Sequence, residues 1–538
     1  MNRSASRWTN ICIGVVASML TLAWAAVGVG RVLASFDHNE QMYVSAGILV
    51  ARGSQIYTDF AYLQTPLLPL LYGWLFRITE SQDFLLVAKM VSVAAYLLAA
   101  LVLGRITWRL CRSRTCSIAA AGLLLSSSLF GRVAAEASNY VLPLLAALLA
   151  IDLWLSGLAV IESRATSQTA ARRGPWWRFF ASGLFIGVAA SLKSYYVLLA
   201  VAFGLTALSL RWPAPRHSLV WRLREVVAPH GVGLCTGLIP VAWYAWIDWD
   251  RFVFFNLEFH SLTTRWKLGP RSFQEIAIAK FEAFYAHFLA KPDSLALFVS
   301  LALIGWLGFQ SLRNGRLSTD PIGRSALLLV AWLLAFGLLA ALLPAPSYVQ
   351  HYSLPSTLAL VFFVVLMSTA PLSPSIPRAW PVVALLVITT AFRFDAMKAG
   401  SQGSWSPDRW ASTRIAAEAR LISDALPAIA HRPVIATLAP LHAWYAGATV
   451  PTEFASGPFM YRIAGLLSPQ EQADYETTSA RSLGELLDAT RPDALYVGHE
   501  GDLDREFVGY AQARRMRPVR IGKRGILYVR PRRRAAEP

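Results

Sequence analysis

Apolar blocks long enough to cross a membrane follow one another along the first three-quarters of the chain, separated by short polar segments. A helix needs roughly 20 apolar residues to span a bilayer core. Eleven segments fit: 11–33, 84–107, 116–131, 138–159, 179–193, 194–210, 229–248, 295–312, 325–343, 351–370 and 379–395. The fifth and sixth stand back to back around Lys193. Beyond about residue 396 the pattern changes. Strand-like runs at 433–437, 493–497 and 525–529 alternate with helix-like stretches at 413–426 and 482–489. That alternation predicts a small α/β domain. The expected division is a transmembrane part over 1–395, a linker and helix over 396–425, and an α/β domain outside the membrane over 426–538.

Composition agrees with this. Of the 538 residues, 55% are hydrophobic and 15% charged, and the mean hydropathy is +0.44, whereas soluble domains carry about 25% charge. The formal charge of +18 does not point to nucleic acid, because no nucleic-acid-binding motif accompanies it. The arginines sit in short connections between apolar blocks: Arg3 and Arg7, Arg105 to Arg114, Arg172 and Arg173, Arg211 and Arg216, Arg316, and Arg378. Such an alternating bias orients a membrane protein with its cations on the cytoplasmic side. It predicts a cytoplasmic N-terminus and, with an odd number of spans, an external C-terminal domain. Cys12, Cys111, Cys116 and Cys235 lie in or beside membrane segments without zinc spacing.

Two external connections are long, 34–83 and 249–294, and loops of that length are usually functional. The first contains an apolar stretch at 66–76 that reads as a helix lying along the membrane surface. The second alternates aromatic and charged residues, among them Trp249, Arg251, His260, Arg265 and Lys267.

Ionisable groups at a helix mouth are costly unless function keeps them there. Asp37 and Glu40 stand three apart just after the first span, and on a helix they share a face. A carboxylate there can take a proton from a hydroxyl or amine, or simply end the helix. Arg132 and Glu136 lie in the next external turn, spaced for an i,i+4 salt bridge or, in the alternative, placing a second acid opposite the first loop. Lys193 can snorkel or pair with a phosphate. Tyr348, Gln350, His351 and Tyr352 open the tenth span, either as an aromatic belt or as a phosphate- or sugar-binding group. Asp152, deep in the fourth span, reads as structural, paired with a loop arginine.

These features occur in a definite order. The acidic segment leads into Gly53, Tyr57, Asp59-Phe60 and Gln64-Thr65-Pro66-Leu67; Arg132 and Glu136 follow, then Gly187 and Lys193, then His351-Tyr352-Ser353-Leu354-Pro355. Over residues 10–395 the pattern resembles the GT-C membrane glycosyltransferases, most nearly glycosyltransferase family 39, the protein O-mannosyltransferase and aminoarabinose-transferase-like group. The resemblance implies an α-helical polytopic membrane fold. It also implies a sugar donor on polyprenyl phosphate and inverting transfer, outside a bacterial cytoplasmic membrane, to an envelope lipid, glycan or protein. Asp37, Glu40 and Glu136 are then the expected catalytic acids, with Asn39, Tyr43, Arg132, Lys193, His351 and Tyr352 binding substrate. Relatives commonly show Asp-Glu-x-x-Tyr in the first loop. This chain has Asn39-Glu40-Gln41-Met42-Tyr43, so the expected base shifts to Asp37 or Glu40, and Asp37→Asn or Glu40→Gln is expected to abolish transfer in a folded protein. No cofactor is expected, and the sequence gives no support for a divalent metal. The alternative class is a transporter or lipid flippase without transferase activity.

Overall fold

The computed structural model describes residues 3–166, 175–209, 218–269, 271–313, 321–344, 348–369, 379–401, 405–427 and 431–531. Arg172, Arg173, Arg211, Arg216, Arg316 and Arg378 lie outside them.

All eleven expected segments coincide with helices. Five are long and apolar enough to cross a membrane on their own, and up to eight if each of three bent pairs counts as one span. The segments at 179–193, 194–210 and 379–395 form shorter apolar helices. The chain is thus an integral membrane protein. Large apolar side chains face outward along its helices, Met19, Leu22, Leu101, Trp246 and Leu303 among them, as expected where hydrocarbon is the solvent.

Helix α1 covers Arg3–Ala34, α2 Asn39–Ala51, α3 Leu67–Thr79 and α4 Phe84–Cys111. The α3 helix is the apolar stretch expected at 66–76. Asp83 caps α4 by accepting from Leu86 N at 3.2 Å. The expected single span at 116–131 is broken. It consists of α5, Arg114–Ser126, and α6, Ser128–Ala134, which meet at 66°. The break is chemical. Ser127 adopts an extended backbone conformation, and the Asp293 carboxylate accepts from Ser128 N at 2.7 Å and Ser128 Oγ at 2.9 Å. An orphan amide at a helix start is thus satisfied by a distant acid. Helix α7 covers Val141–Thr166 and α8 Trp176–Leu192.

Helix α8 packs on the helix Ala228–Gly237 through glycines on both sides. A Cβ at Gly183 or Gly233 would overlap the carbonyl of His230 or Phe180. Small residues spaced by four let membrane helices approach this closely.

The 249–294 segment is helical over most of its length: Trp249–Val253, Phe254–Glu258, Phe259–Leu268, and Phe273–Phe284 running on to Leu289. It holds the first loop. Arg251 Nη1 donates to Tyr57 O at 3.2 Å, and Asn256 Nδ2 to Tyr57 Oη at 3.2 Å. Tyr57 takes a positive φ of 69°, a strained geometry for this residue, fixed by these bonds and by its hydroxyl donating to Gln64 O at 2.6 Å.

The C-terminal sheet has four strands in the order β1-β2-β4-β3: β1 Ile435–Thr437, β2 Ala494–Val497, β3 Arg517–Ile521 and β4 Gly525–Val529. β1 and β2 are parallel, and the other pairs antiparallel. β3 is a strand that the alternation above does not predict. It is an exposed edge carrying Arg517, Pro518 and Arg520, the polar composition that edges use against unwanted pairing. The sheet, the helix Ala411–Ala425 and the first loop share one buried apolar cluster that includes Tyr62, Tyr72, Ile415, Ile435 and Leu495.

Candidate active site

The turn between α6 and α7, residues 135–140, has no regular structure, and nearly every residue in it holds a different element. Ala135 O accepts from Lys89 Nζ at 2.6 Å. Glu136 O accepts from Ser92 Oγ at 3.2 Å. Ala137 N donates to Glu40 Oε1. The bend at Ser127 aims this turn at the end of the bundle where the first loop lies.

Glu40 is fully buried. Its Oε1 lies 2.5 Å from Lys89 Nζ, itself buried in α4, and its Oε2 accepts from Asp37 N at 3.0 Å. Both carboxylate oxygens are therefore committed. Removing one partner of such a pair strands the other charge, so Glu40→Gln is not the clean test expected from sequence: it would leave Lys89 buried without its counter-ion. Lys89 went unnoticed in the sequence, although a lysine inside an apolar run of membrane length is itself a signal.

Asp37 differs. Its side chain keeps 26% of its surface exposed, and His38 Nδ1 lies 3.7 Å from its Oδ1. Asn39 N donates to Asp37 Oδ1 at 3.0 Å. This places the carboxylate at the N-terminal end of α2, where exposed amides favour negative charge. Asn39 engages through its backbone here.

Glu136 is buried, and its Oε1 accepts from Gln350 Nε2 at 3.2 Å. Its other oxygen has no hydrogen-bond partner among the described residues. Burial, and then the charge of Asp37, push its carboxyl up to about 7, while the Gln350 bond opposes them. It makes no salt bridge with Arg132, contrary to one reading of their spacing: Arg132 is exposed and has no carboxylate at ion-pair distance among the described residues.

Asn139 is the hub that the sequence did not single out. Its Oδ1 accepts from Tyr43 Oη at 2.7 Å and Lys193 Nζ at 3.4 Å. Its Nδ2 donates to Gln64 Oε1 at 3.1 Å and Leu192 O at 3.0 Å. Lys193 does not snorkel. It is buried in an extended backbone step after α8, with Nζ 4.1 Å from the Tyr140 ring and 5.8 Å from that of Tyr195. Its hydrogen-bond and ring partners among the described residues are neutral, and Glu136 is the acidic group within electrostatic reach of it.

His351 faces the same group. Its ring lies 6.2 Å from that of Tyr140 and 6.1 Å from that of Tyr195, and Tyr348 N donates to its Nδ1 at 3.3 Å. His260, from the second long connection, lies within electrostatic reach of Lys193 and His351. Tyr352 does not join them. Successive residues of a 3₁₀ turn point about 120° apart, and Tyr352 instead packs in an apolar cluster with Leu129, Phe288 and Ala341. Asp37, Tyr43, Glu136, Lys193 and His351 thus belong to one neighbourhood, Glu40 adjoins it through Asp37 N and Ala137 N, and Tyr352 lies outside it.

No family model matches the sequence, and no curated protein matches it. Solved structures do. ArnT from Cupriavidus metallidurans bound to undecaprenyl phosphate aligns with 98% of this chain and 98% of its own length, at 14% identity and a TM-score of 0.56. The apo state of the same protein aligns over the same shares at 12% identity and a TM-score of 0.58. The chain has a GT-C-like fold. In this GT-C-like architecture the 135–140 turn, which follows the broken α5–α6 segment, is bonded to the first loop and to α4.

Proposed function

We propose that the chain moves a sugar from a polyprenyl-phosphate donor to an envelope lipid, glycan or protein on the external face of a bacterial cytoplasmic membrane. One observation carries the reading: buried Lys193, in one neighbourhood with His351 and with no carboxylate at ion-pair distance among the described residues, faces a site that also holds Asp37 and Glu136. The fold, shared over nearly its whole length with a protein that binds undecaprenyl phosphate, supports it. Residues 1–395 hold the transfer site, and the domain at 426–538 covers the first loop from outside.

The chemistry follows from the charges. The acceptor oxygen or nitrogen attacks the anomeric carbon while Asp37 takes its proton. The bond from that carbon to the phosphate oxygen breaks, and the electron pair leaves with the polyprenyl phosphate. Lys193 and His351 stabilise the charge that develops there. Glu136, with a carboxyl near 7, donates a hydrogen bond to the phosphate when protonated and repels it when ionised. A transporter would gather its ionisable groups near the bilayer midplane. Here Asp37 follows α1, Glu136 precedes α7 and Lys193 follows α8, which favours the enzyme.

Mass spectrometry of envelope glycans and glycoproteins in a deletion strain tests the reading. One envelope component should lose a single sugar, and the wild-type gene should restore it. An unchanged envelope, together with no transfer by purified protein from any of a panel of polyprenyl-phosphate sugars, overturns it.

A further inference from the structure

A second chemical cluster lies in the C-terminal region. Glu418, His442 and His499 each offer one ligand atom, and the three atoms lie within 4.8 Å of one another. The sheet brings them together. β1 and β2 are parallel neighbours, so their C-terminal ends open on one edge, the place where open α/β sheets hold ligands. His442 stands on the helix Pro440–Tyr445 just after β1, and His499 two residues beyond β2. Glu418 enters from the helix Ala411–Ala425.

The loop carrying His499 is closely tied down. Gly498 has a φ of 108°, and a side chain there would overlap Arg524 O. The amides of Gly498, His499 and Glu500 all donate to Asp504 Oδ2, at 2.8, 3.1 and 3.0 Å.

Hydrogen bonds account for only part of the cluster. His442 Nε2 lies 3.1 Å from Glu418 Oε2, and His499 Nε2 lies 2.8 Å from Tyr496 Oη. Yet His442 Nδ1 is buried without a partner among the described residues, and the two imidazole rings stand only 4.6 Å apart.

We propose that Glu418, His442 and His499 bind one divalent cation of the zinc class, with water or the Tyr496 hydroxyl as fourth ligand. Zinc bonds of about 2.1 Å in a tetrahedron set ligand separations near about 3.4 Å, within reach of this cluster by side-chain rotation. Two imidazoles and one carboxylate suit zinc better than calcium or magnesium, which prefer all-oxygen sets. No cysteine takes part, and the ligands at 418, 442 and 499 form no local spacing motif.

The cation would act as a staple. Next to His442, Leu441 N donates to Gln41 Oε1 of α2 at 2.9 Å. On the same short helix, Tyr445 Oη donates to Asp83 Oδ1, at the start of α4, at 2.6 Å. Beside His499, Glu500 accepts from Arg462 at 3.1 Å, and Arg462 lies over Phe459, which stacks on His38. The bound ion therefore fixes the elements that hold the Asp37 loop, without touching a reacting group.

The test uses purified full-length protein in detergent, stripped with EDTA and titrated with Zn²⁺ alone. One zinc should bind per chain, raise the thermal midpoint and be retained through buffer exchange. His499→Ala and His442→Ala should each weaken binding by about tenfold or more. Absence of saturable binding, or equal affinity in the variants, overturns the site and leaves a hydrogen-bonded network only. Should His442→Ala fail to fold, the wild-type titration and His499→Asn decide. No donor or acceptor is present in the assay, so its outcome is independent of the glycosyltransferase reading.

Discussion

Helix α4 carries buried ionic contacts at both ends, and they are built differently. Towards its C-terminal end, Arg105 and Arg109 reach Asp152 of α7 at 2.9 and 3.1 Å. One buried acid there has two cations, and both arginine stems extend from the same helix. Sixteen residues earlier, about 24 Å along the axis, Lys89 holds Glu40, and beyond that pair the matching stops. Glu136 and Lys193 are buried with neutral hydrogen-bond partners and lie within electrostatic reach of each other, and Asp37 is half-buried. A structural charge in a membrane protein is neutralised on the spot. Ionisable groups left without an ion pair cost stability and persist where an incoming group completes them. Under the proposed function, the first-loop end of the bundle is the working end and the Asp152 end is scaffold.

The largest break in this comparison should come from Asp37→Asn. If Asp37 accepts the acceptor's proton, transfer falls by about 10²- to 10⁴-fold, while the thermal midpoint stays at the wild-type value. Steady-state transfer and differential scanning fluorimetry read the two sides. Unchanged transfer would remove Asp37 from the mechanism.

Lys89→Met comes next. It leaves Glu40 buried beside a methionine, and stranding one member of a buried pair costs about 3–5 kcal/mol. The thermal midpoint should drop sharply. Lys89→Met combined with Glu40→Gln should recover part of the loss, because the double change removes both charges. Absence of recovery would mean that Glu40 also serves the reaction or the fold by another route.

These two variants also separate what the sequence shows from what it hides. Asp37, Glu136, Lys193 and His351 stand out because each is polar beside an apolar run. The role of Glu40 does not, since its partner is 49 residues away and only the fold brings them within 2.5 Å. Asn139 is a neutral residue in a short turn, and nothing local distinguishes it from a solvated one. The eleven helical segments are legible because length and apolarity decide them. The break at Ser127 is not, because the acid that satisfies Ser128 belongs to the helix Pro292–Arg313. Strand β3 hides for the opposite reason: its arginines and proline are what a protected edge needs, and they resemble a loop.

A third effect concerns pH. The Glu136 carboxyl is raised from 4.5 to about 7 by burial and by Asp37. The folded chain therefore holds a proton that the unfolded chain releases earlier. That contribution to stability is fully present below about 4.5 and is lost as pH rises through about 7, a tenfold difference in proton affinity being worth about 1.4 kcal/mol. Glu136→Gln keeps the acceptor for Gln350 and removes the titration. Its thermal midpoint should be flatter between pH 5 and 8 than that of the wild type. Parallel curves would show that Glu136 does not titrate in this window.

The smallest effect should come from the scaffold end. Asp152→Asn removes the acid from its two arginines. Arg105 is largely exposed and Arg109 partly so, so both guanidinium groups can turn to water and keep their stems on apolar surface. The cost is then about 1–2 kcal/mol, that of a few weakened hydrogen bonds, and transfer per folded molecule should match the wild type. Equal transfer by Asp152→Asn and its loss in Asp37→Asn would together fix which end of α4 works. A transfer defect in Asp152→Asn with an unchanged thermal midpoint would instead mean that the paired end takes part in the reaction, and the contrast between the two ends would fail as a guide to function.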